Sequence, residues 1–299
     1  MKKAYLQLHI SVFLWGFTGI LGRLIDLPDA LLVWYRMIIT ALMMLIGLLL
    51  RGNFRMPTAR EVLRISLVGT LVSLHWLCFY GSIKSSGASV ALSCLASTAL
   101  FTSLLNPVFG GKKIHLREIF FGLAAIAGIS MLYLYRGAYT SGLLLGLSAS
   151  AIGALFTILN KKLMEKQDPL IVSFLEMGSG FLFLTAILPL YFSFFPGGKM
   201  IPSAADCIYL LCLSFFCTVI PFTLSLYALK KLSAFTSNLI LNMEPVYGIL
   251  LAVVLFREDR FLHAGFFAGS ALLVATVILH SFLERRKQFP VITKTLKHD

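Results

Sequence analysis

The sequence predicts an all-α membrane protein with ten transmembrane helices in two inverted five-helix repeats. Three observations predict it. Of the 299 residues, 58% are hydrophobic and only 13% charged, where a soluble domain has roughly a quarter charged. The apolar residues fall into ten runs, each close to the roughly 20 residues that cross a bilayer as helix. A stretch of the first half also recurs 146 residues later.

Ten such helices use about 200 residues. The remainder must make nine loops and two tails, which leaves no sizeable extramembrane domain. With a mean hydropathy of +0.87, the chain is a poor fit to a water-soluble enzyme, a disordered chain or a nucleic-acid-binding module, because none could hide so much apolar surface. The net charge of +13 fits basic residues retained on the cytoplasmic face.

The ten runs are residues 4–22, 30–50, 62–82, 87–109, 117–135, 141–160, 169–192, 205–229, 233–256 and 261–283. They are continuous, unlike the short alternating strands of a barrel. The first follows Lys2 and Lys3 as a signal peptide would, but no A-x-A cleavage signal follows and more runs do, so it reads as a retained helix. Glycines recur at helical spacing: Gly16, Gly19 and Gly22 in the first run, Gly142 and Gly146 in the sixth, Gly265 and Gly269 in the tenth. Such small residues let backbones approach where lipid supplies no hydrophobic drive. The five cysteines (Cys78, Cys94, Cys207, Cys212, Cys217) lie in apolar stretches with no CxxC pair, and read as small buried hydrophobes rather than disulfides or metal ligands.

Orientation follows from Lys and Arg. With the N-terminus inside, the inner segments hold 19 of the 26 basic residues, among them Arg51, Arg55, Arg60, Arg64, Lys161, Lys162 and Lys166. The outer segments hold Arg23, Lys84, Arg136, Lys199, Arg257 and Arg260, and Arg36 lies within a span. This asymmetry predicts ten spans with both ends cytoplasmic, and one span more or fewer would scramble it.

The repeat places Leu95 on Leu241, Phe101 on Tyr247, Leu104 on Leu250 and Leu105 on Leu251. Spans 4–5 therefore match spans 9–10, and spans 1–2 match 6–7 more weakly. Five spans per half is an odd number, so the halves must run with opposite orientation. The expected domains are 1–136, 137–284 and a basic cytoplasmic tail over 285–299. Inverted repeats are the architecture of secondary transporters, with a site near the midplane.

A charge at the bilayer centre costs at least about 2.5–3.5 kcal/mol, so the few inside the spans matter. They are Arg36, Glu176 and Glu244, with His75 as a further titratable group. Arg36 lies two turns into span 2 from the outer side and Glu176 two turns into span 7 from the inner side. Each either lines a cavity, one near each mouth, or makes a structural contact with a neighbouring helix. Pro245 follows Glu244 and leaves the Leu241 carbonyl without its helical donor. A helix broken at that depth must face protein or a water-filled cavity. Asn238 and Asn242 share one helical face and complete a candidate polar lining with Glu244 and Pro245. The matching point of the first half is Thr98-Ala99, without acid or proline. In span 3, Trp76 and Tyr80 lie four apart and with Trp15 form a candidate aromatic wall. His75 is either a proton relay or a hydrogen-bonding partner of a neighbouring helix. Pro221 marks a candidate hinge in span 8.

Trp15-Gly16-Phe17, and Glu244-Pro245 followed by Leu255-Phe256-Arg257-Glu258, together with the ten-span pattern, resemble the drug/metabolite transporter superfamily, EamA type. The stretch Ser97-Thr98-Ala99-Leu100-Phe101-Thr102, ending at Lys112-Lys113-Ile114, resembles the corresponding first-half element. The family often has proline where this chain has Ala99, and an acid where it has Gly111-Lys112. The resemblance covers essentially the whole chain. It implies a secondary transporter of the inner membrane that moves small metabolites, amino acids and related compounds being the usual suggestion, commonly by export. It also implies that spans 5 and 10 pack the halves while the others surround a cavity near Trp15, Arg36, Trp76, Tyr80, Asn238, Asn242 and Glu244.

The leading expectation is thus alternating access, driven by the substrate gradient or by protons; proton coupling would require Glu244, Glu176 or His75 to titrate. No cofactor or metal site, Walker motif, paired-carboxylate motif or nucleophile motif occurs, so no enzyme is expected. A channel or scaffold subunit is the alternative, and a membrane-embedded transferase a more distant one, since the loops are too short to fold over a substrate.

Overall fold

The computed structural model describes residues 2–52, 55–86, 88–111, 113, 115–133, 140–244, 246–248, 251 and 264–295. Among them every regular element is helical. In chain order these are α1 (Lys2–Trp15), α2 (Thr18–Leu24), α3 (Asp29–Arg51), α4 (Ala59–Ser86), α5 (Ala88–Leu95), α6 (Ser97–Leu105), α7 (Leu116–Tyr133), α8 (Thr140–Leu163), α9 (Pro169–Phe194), α10 (Ala204–Ser214), α11 (Ile220–Leu229), α12 (Ala234–Leu241) and α13 (Ala264–Thr295). Wider π turns continue α6 over Asn106–Gly110 and join α10 to α11 over Phe215–Val219.

Six helical stretches among the described residues are long and apolar enough to cross a membrane: Lys2–Gly22, Asp29–Arg51, Ala59–Ser86, Ser141–Leu163, Pro169–Phe194 and Ala204–Leu229. They fall on the first, second, third, sixth, seventh and eighth runs of the sequence. The fifth run is α7. The tenth begins outside the described residues and continues as α13, which extends to Thr295; part of the stretch expected as a tail is therefore helix.

The fourth and ninth runs are not continuous helices, and they break at the same register. α5 and α12 are both eight residues long and begin and end 146 positions apart. Turns follow at Ala96 and at Asn242-Met243. The sequence ties the break to Pro245, which lies outside the described residues, yet the first half breaks with Ala99 in that place. There, hydroxyls do the work of a proline. The Ser97 and Ser150 side chains both donate to the Cys94 carbonyl, each at 2.6 Å, and compete with its backbone donor.

Local signals fix the ends. Asp168 accepts from the Leu170 and Ile171 N–H groups at the start of α9, with Pro169 at its first position. Ser203 and Asp206 form a capping box on α10.

The helix pairing repeats as the sequence does. α3 packs on α9, α6 on α12 and α7 on α13, while α1 packs on α11 as α8 packs on α4. Exchanging the halves maps the first three pairs onto themselves and the last two onto each other. Glycine permits the closest crossings. A Cβ on Gly69 would lie 2.4 Å from the Glu176 carbonyl oxygen, and one on Gly180 would lie 2.9 Å from the Gly69 oxygen. Gly128 meets the backbone of Gly269 in the same way, which brings α7 against α13. Gly19 meets nothing and has no packing role among the described residues.

The outer surface is apolar, and the few charged and amide side chains within the helices are turned inward among an apolar core. Leu50, Leu63, Leu144, Leu182 and Phe216 are exposed, whereas Arg36, Glu176 and Asn238 are buried. A bilayer requires this arrangement, since lipid cannot satisfy polar groups. The cysteines follow it only in part. Cys94 and Cys217 are buried and Cys78 and Cys212 half-buried, but Cys207 is exposed, because it faces outward on the first turn of α10. All five are free thiols.

Candidate functional site

Two hydrophobic clusters make the core. One gathers α3, α4, α9 and the α10–α11 stretch around Met37, Val72, Met177 and Leu213. The other gathers α1, α6, α7, α12 and α13 around Leu8, Ala99, Ile129, Phe235 and Leu273. A cavity of about 110 Å³ has walls from both.

Eight of the eleven candidate residues line this cavity: Trp15, Arg36, His75, Trp76, Thr98, Asn238, Asn242 and Glu244. Pro245 lies outside the described residues. Tyr80 and Glu176 stand behind the wall. Tyr80 is buried, and its hydroxyl accepts a hydrogen bond from Arg36 Nη1 at 3.0 Å. Glu176 was expected near the inner mouth, but it is buried at the α4–α9 crossing, where Gly69 draws the two backbones together. Among the described residues its polar neighbour is the Asn160 side chain, and neither carboxyl oxygen makes a hydrogen bond of good geometry.

Arg36 sits at 1% exposure, held from three sides. Nε donates to Thr218 Oγ1 at 2.8 Å, Nη1 to the Tyr80 hydroxyl, and Nη2 to the Cys217 carbonyl at 3.1 Å. The last bond has a cause in the sequence. Pro221 has no N–H to offer the carbonyl four residues before it, and that carbonyl is Cys217's. The residue read as a hinge thus frees an acceptor for the arginine. Among the described residues no carboxylate lies within 4.0 Å of the guanidinium.

Asn238 joins the halves. Its Nδ2 donates to Thr102 Oγ1 on α6 at 2.7 Å, and its Oδ1 accepts from Thr157 Oγ1 on α8 at 3.2 Å. Asn242 has no such anchor: Nδ2 is buried without a partner among the described residues. His75 Nδ1 lies 2.7 Å from the Ala149 carbonyl oxygen. A carbonyl only accepts, so Nδ1 carries the hydrogen and Nε2 is the nitrogen left for other partners. Its ring is flanked by Phe79 and Phe156.

Sequence reading missed Thr18, Asn160 and Ser237 on the wall. Asn160 Oδ1 and Ser237 Oγ are buried with no partner among the described residues, and the Thr18 hydroxyl has the Cys217 thiol as its polar neighbour. The signal was available, since Asn160 and Ser237 are polar positions in apolar runs, but neither is charged or beside a proline. Buried polar atoms are ordinarily paired. Polar atoms that face a cavity take water or a solute as partner.

The family model described as the EamA-like transporter family matches residues 2–134 and again residues 140–282. A solved structure described as "Crystal structure of protein" superposes with a TM-score of 0.75 at 17% identity, over 96% of this chain and 99% of that chain. At that identity the likeness is one of fold. No curated protein matches the sequence.

Proposed function

From the premise that this chain belongs to the EamA-like transporter family, within the drug/metabolite transporter superfamily, we propose that it is a secondary transporter that moves small metabolites through the central cavity by alternating access. The observation that carries this reading is a cavity of mainly apolar lining, walled by helices of both repeats, into which Arg36 and Glu244 both reach. The interruptions after α5 and α12 support it, because a gap in the helical hydrogen bonding at matching registers gives each repeat a less rigid point near the site. Rocking of one repeat against the other then opens the cavity to alternate sides.

The remaining features of the proposal are ten spans, inverted repeats over 1–136 and 137–284, and both termini in the cytoplasm. Amino acids and related compounds are the solutes proposed, export the direction, and protons a candidate coupling ion. The decisive experiment is counterflow in proteoliposomes, after a thermal-shift screen against amino acids, nucleosides and cationic metabolites has named a stabilising ligand. Transient accumulation of labelled solute against its gradient is expected. Passive equilibration alone would establish a channel instead.

A further inference from the structure

We infer that Arg36 is the anchor for a carboxylate on the solute that occupies the central cavity; this rests on the transporter reading and deepens it. A guanidinium has five N–H hydrogens and stays charged in proteins. Three of Arg36's are used, one on each nitrogen. One hydrogen on Nη1 and one on Nη2 therefore have no acceptor among the described residues, in a side chain that lines the cavity. Two donors on the terminal nitrogens suit the two oxygens of a carboxylate, the pairing that arginine makes best.

Charge points the same way. A cation buried within a membrane protein is costly unless an anion answers it. Glu244 lines the same cavity but lies beyond ion-pair distance, and no other described carboxylate comes closer than 4.0 Å. One face of the guanidinium is covered by the Trp76 ring, which helps to hold the plane in place. Asn242 Nδ2 is a further buried donor without a partner, on the same wall. The cavity wall thus carries one cation with spare N–H groups and a further amide donor. It leaves the Glu244 carboxylate for a donor elsewhere on the solute.

The test uses the wild-type protein in detergent and reads chemistry at Arg36, not transport. Phenylglyoxal modifies accessible arginines, and peptide mass spectrometry reports the rate at Arg36 alone. Acetate, L-alanine, glycinamide, choline chloride and inorganic phosphate are compared at equal ionic strength. At about four times its Kd a ligand leaves the site free about a fifth of the time, so protection slows modification about fivefold. Protection by acetate or L-alanine, and not by glycinamide or choline, is expected. Protection by phosphate alone, by choline alone or by none of them overturns the inference. So does an Arg36 that no reagent reaches, because an anchor must be open to water in some state. Protection with no counterflow would leave the carboxylate site standing and sink the transport mechanism. Counterflow with no protection would do the reverse.

Discussion

The guanidinium carbon of Arg36 lies 4.0 Å from the centroid of the Trp76 ring. One residue comes from the second helical run and the other from the third, and neither has a local reason to meet the other. The stack turns a side chain that is costly in a membrane into a fixed feature of the cavity wall. A buried cation–π contact of this kind contributes about 2 kcal/mol or more. A double-mutant cycle with Trp76→Leu and Arg36→Met, read by thermal unfolding in detergent, should give a coupling of that order. Additive losses would mean that the two residues do not support each other.

Asn238 should matter more for stability than its neighbour Asn242. Its amide bridges Thr102 and Thr157 on two other helices, whereas Asn242 Nδ2 has no partner among the described residues. Asn238→Leu removes two hydrogen bonds between helices, at about 0.5–1.5 kcal/mol each, although the Thr102 and Thr157 hydroxyls keep the Thr98 and Gly153 carbonyls as acceptors. Asn242→Leu removes an unpaired group and should leave the unfolding midpoint nearly unchanged while reducing solute binding. Equal midpoints for the two variants would contradict this.

Gly69→Val should be among the most damaging single changes. Its Cβ alone would meet the Ser179 hydroxyl at 2.2 Å and the Glu176 backbone at 2.4 Å, and backbone cannot step aside. Overpacking costs typically about 1–3 kcal/mol, occasionally more, which at a helix crossing should appear as loss of monodisperse protein on size-exclusion chromatography. Gly19→Val, with open space around it, is the control and should behave as wild type.

Glu244→Gln tests proton coupling. If Glu244 carries the proton, the variant's transport in proteoliposomes loses its dependence on pH while solute binding persists. Unchanged pH dependence removes Glu244 from that role and leaves His75 and Glu176 to be tested in the same way.

Single cysteines in a cysteine-free background test the orientation. Lys166→Cys and Ile201→Cys lie in loops at the two ends of α9, and Lys166 and Ile201 are both exposed. In intact cells an impermeant maleimide should label the second and not the first. The opposite pattern would invert the topology read from the basic residues.

Much of the fold was legible because a bilayer leaves few choices. Backbone groups in lipid must pair within their own segment, so an apolar run of about 20 residues such as 30–50 could only be a helix, and it is α3. The repeat was legible too, since α5 and α12 keep the 146-residue offset. The break in α5–α6 was not. Two hydroxyls converge there on the Cys94 carbonyl, and although Ser97 is local, Ser150 reaches it from a helix distant in sequence, so the sequence shows only half of the arrangement.

By its own pattern, then, the sequence determined the helical class, the places of six long membrane-spanning helices, the duplication and the short inventory of intramembrane charges, because each depends on hydrophobicity and spacing along one chain. Only the tertiary structure decided which charges share a cavity. Arg36 and Glu176 looked alike in sequence, one acid and one base at matching depths. The structure turns Arg36 onto the cavity wall, where Pro221 frees a carbonyl for it and Trp76 covers it. It buries Glu176 where Gly69 lets two helices touch. Helix rotation and crossing distance separate the two, and those are set by packing among residues far apart in the chain.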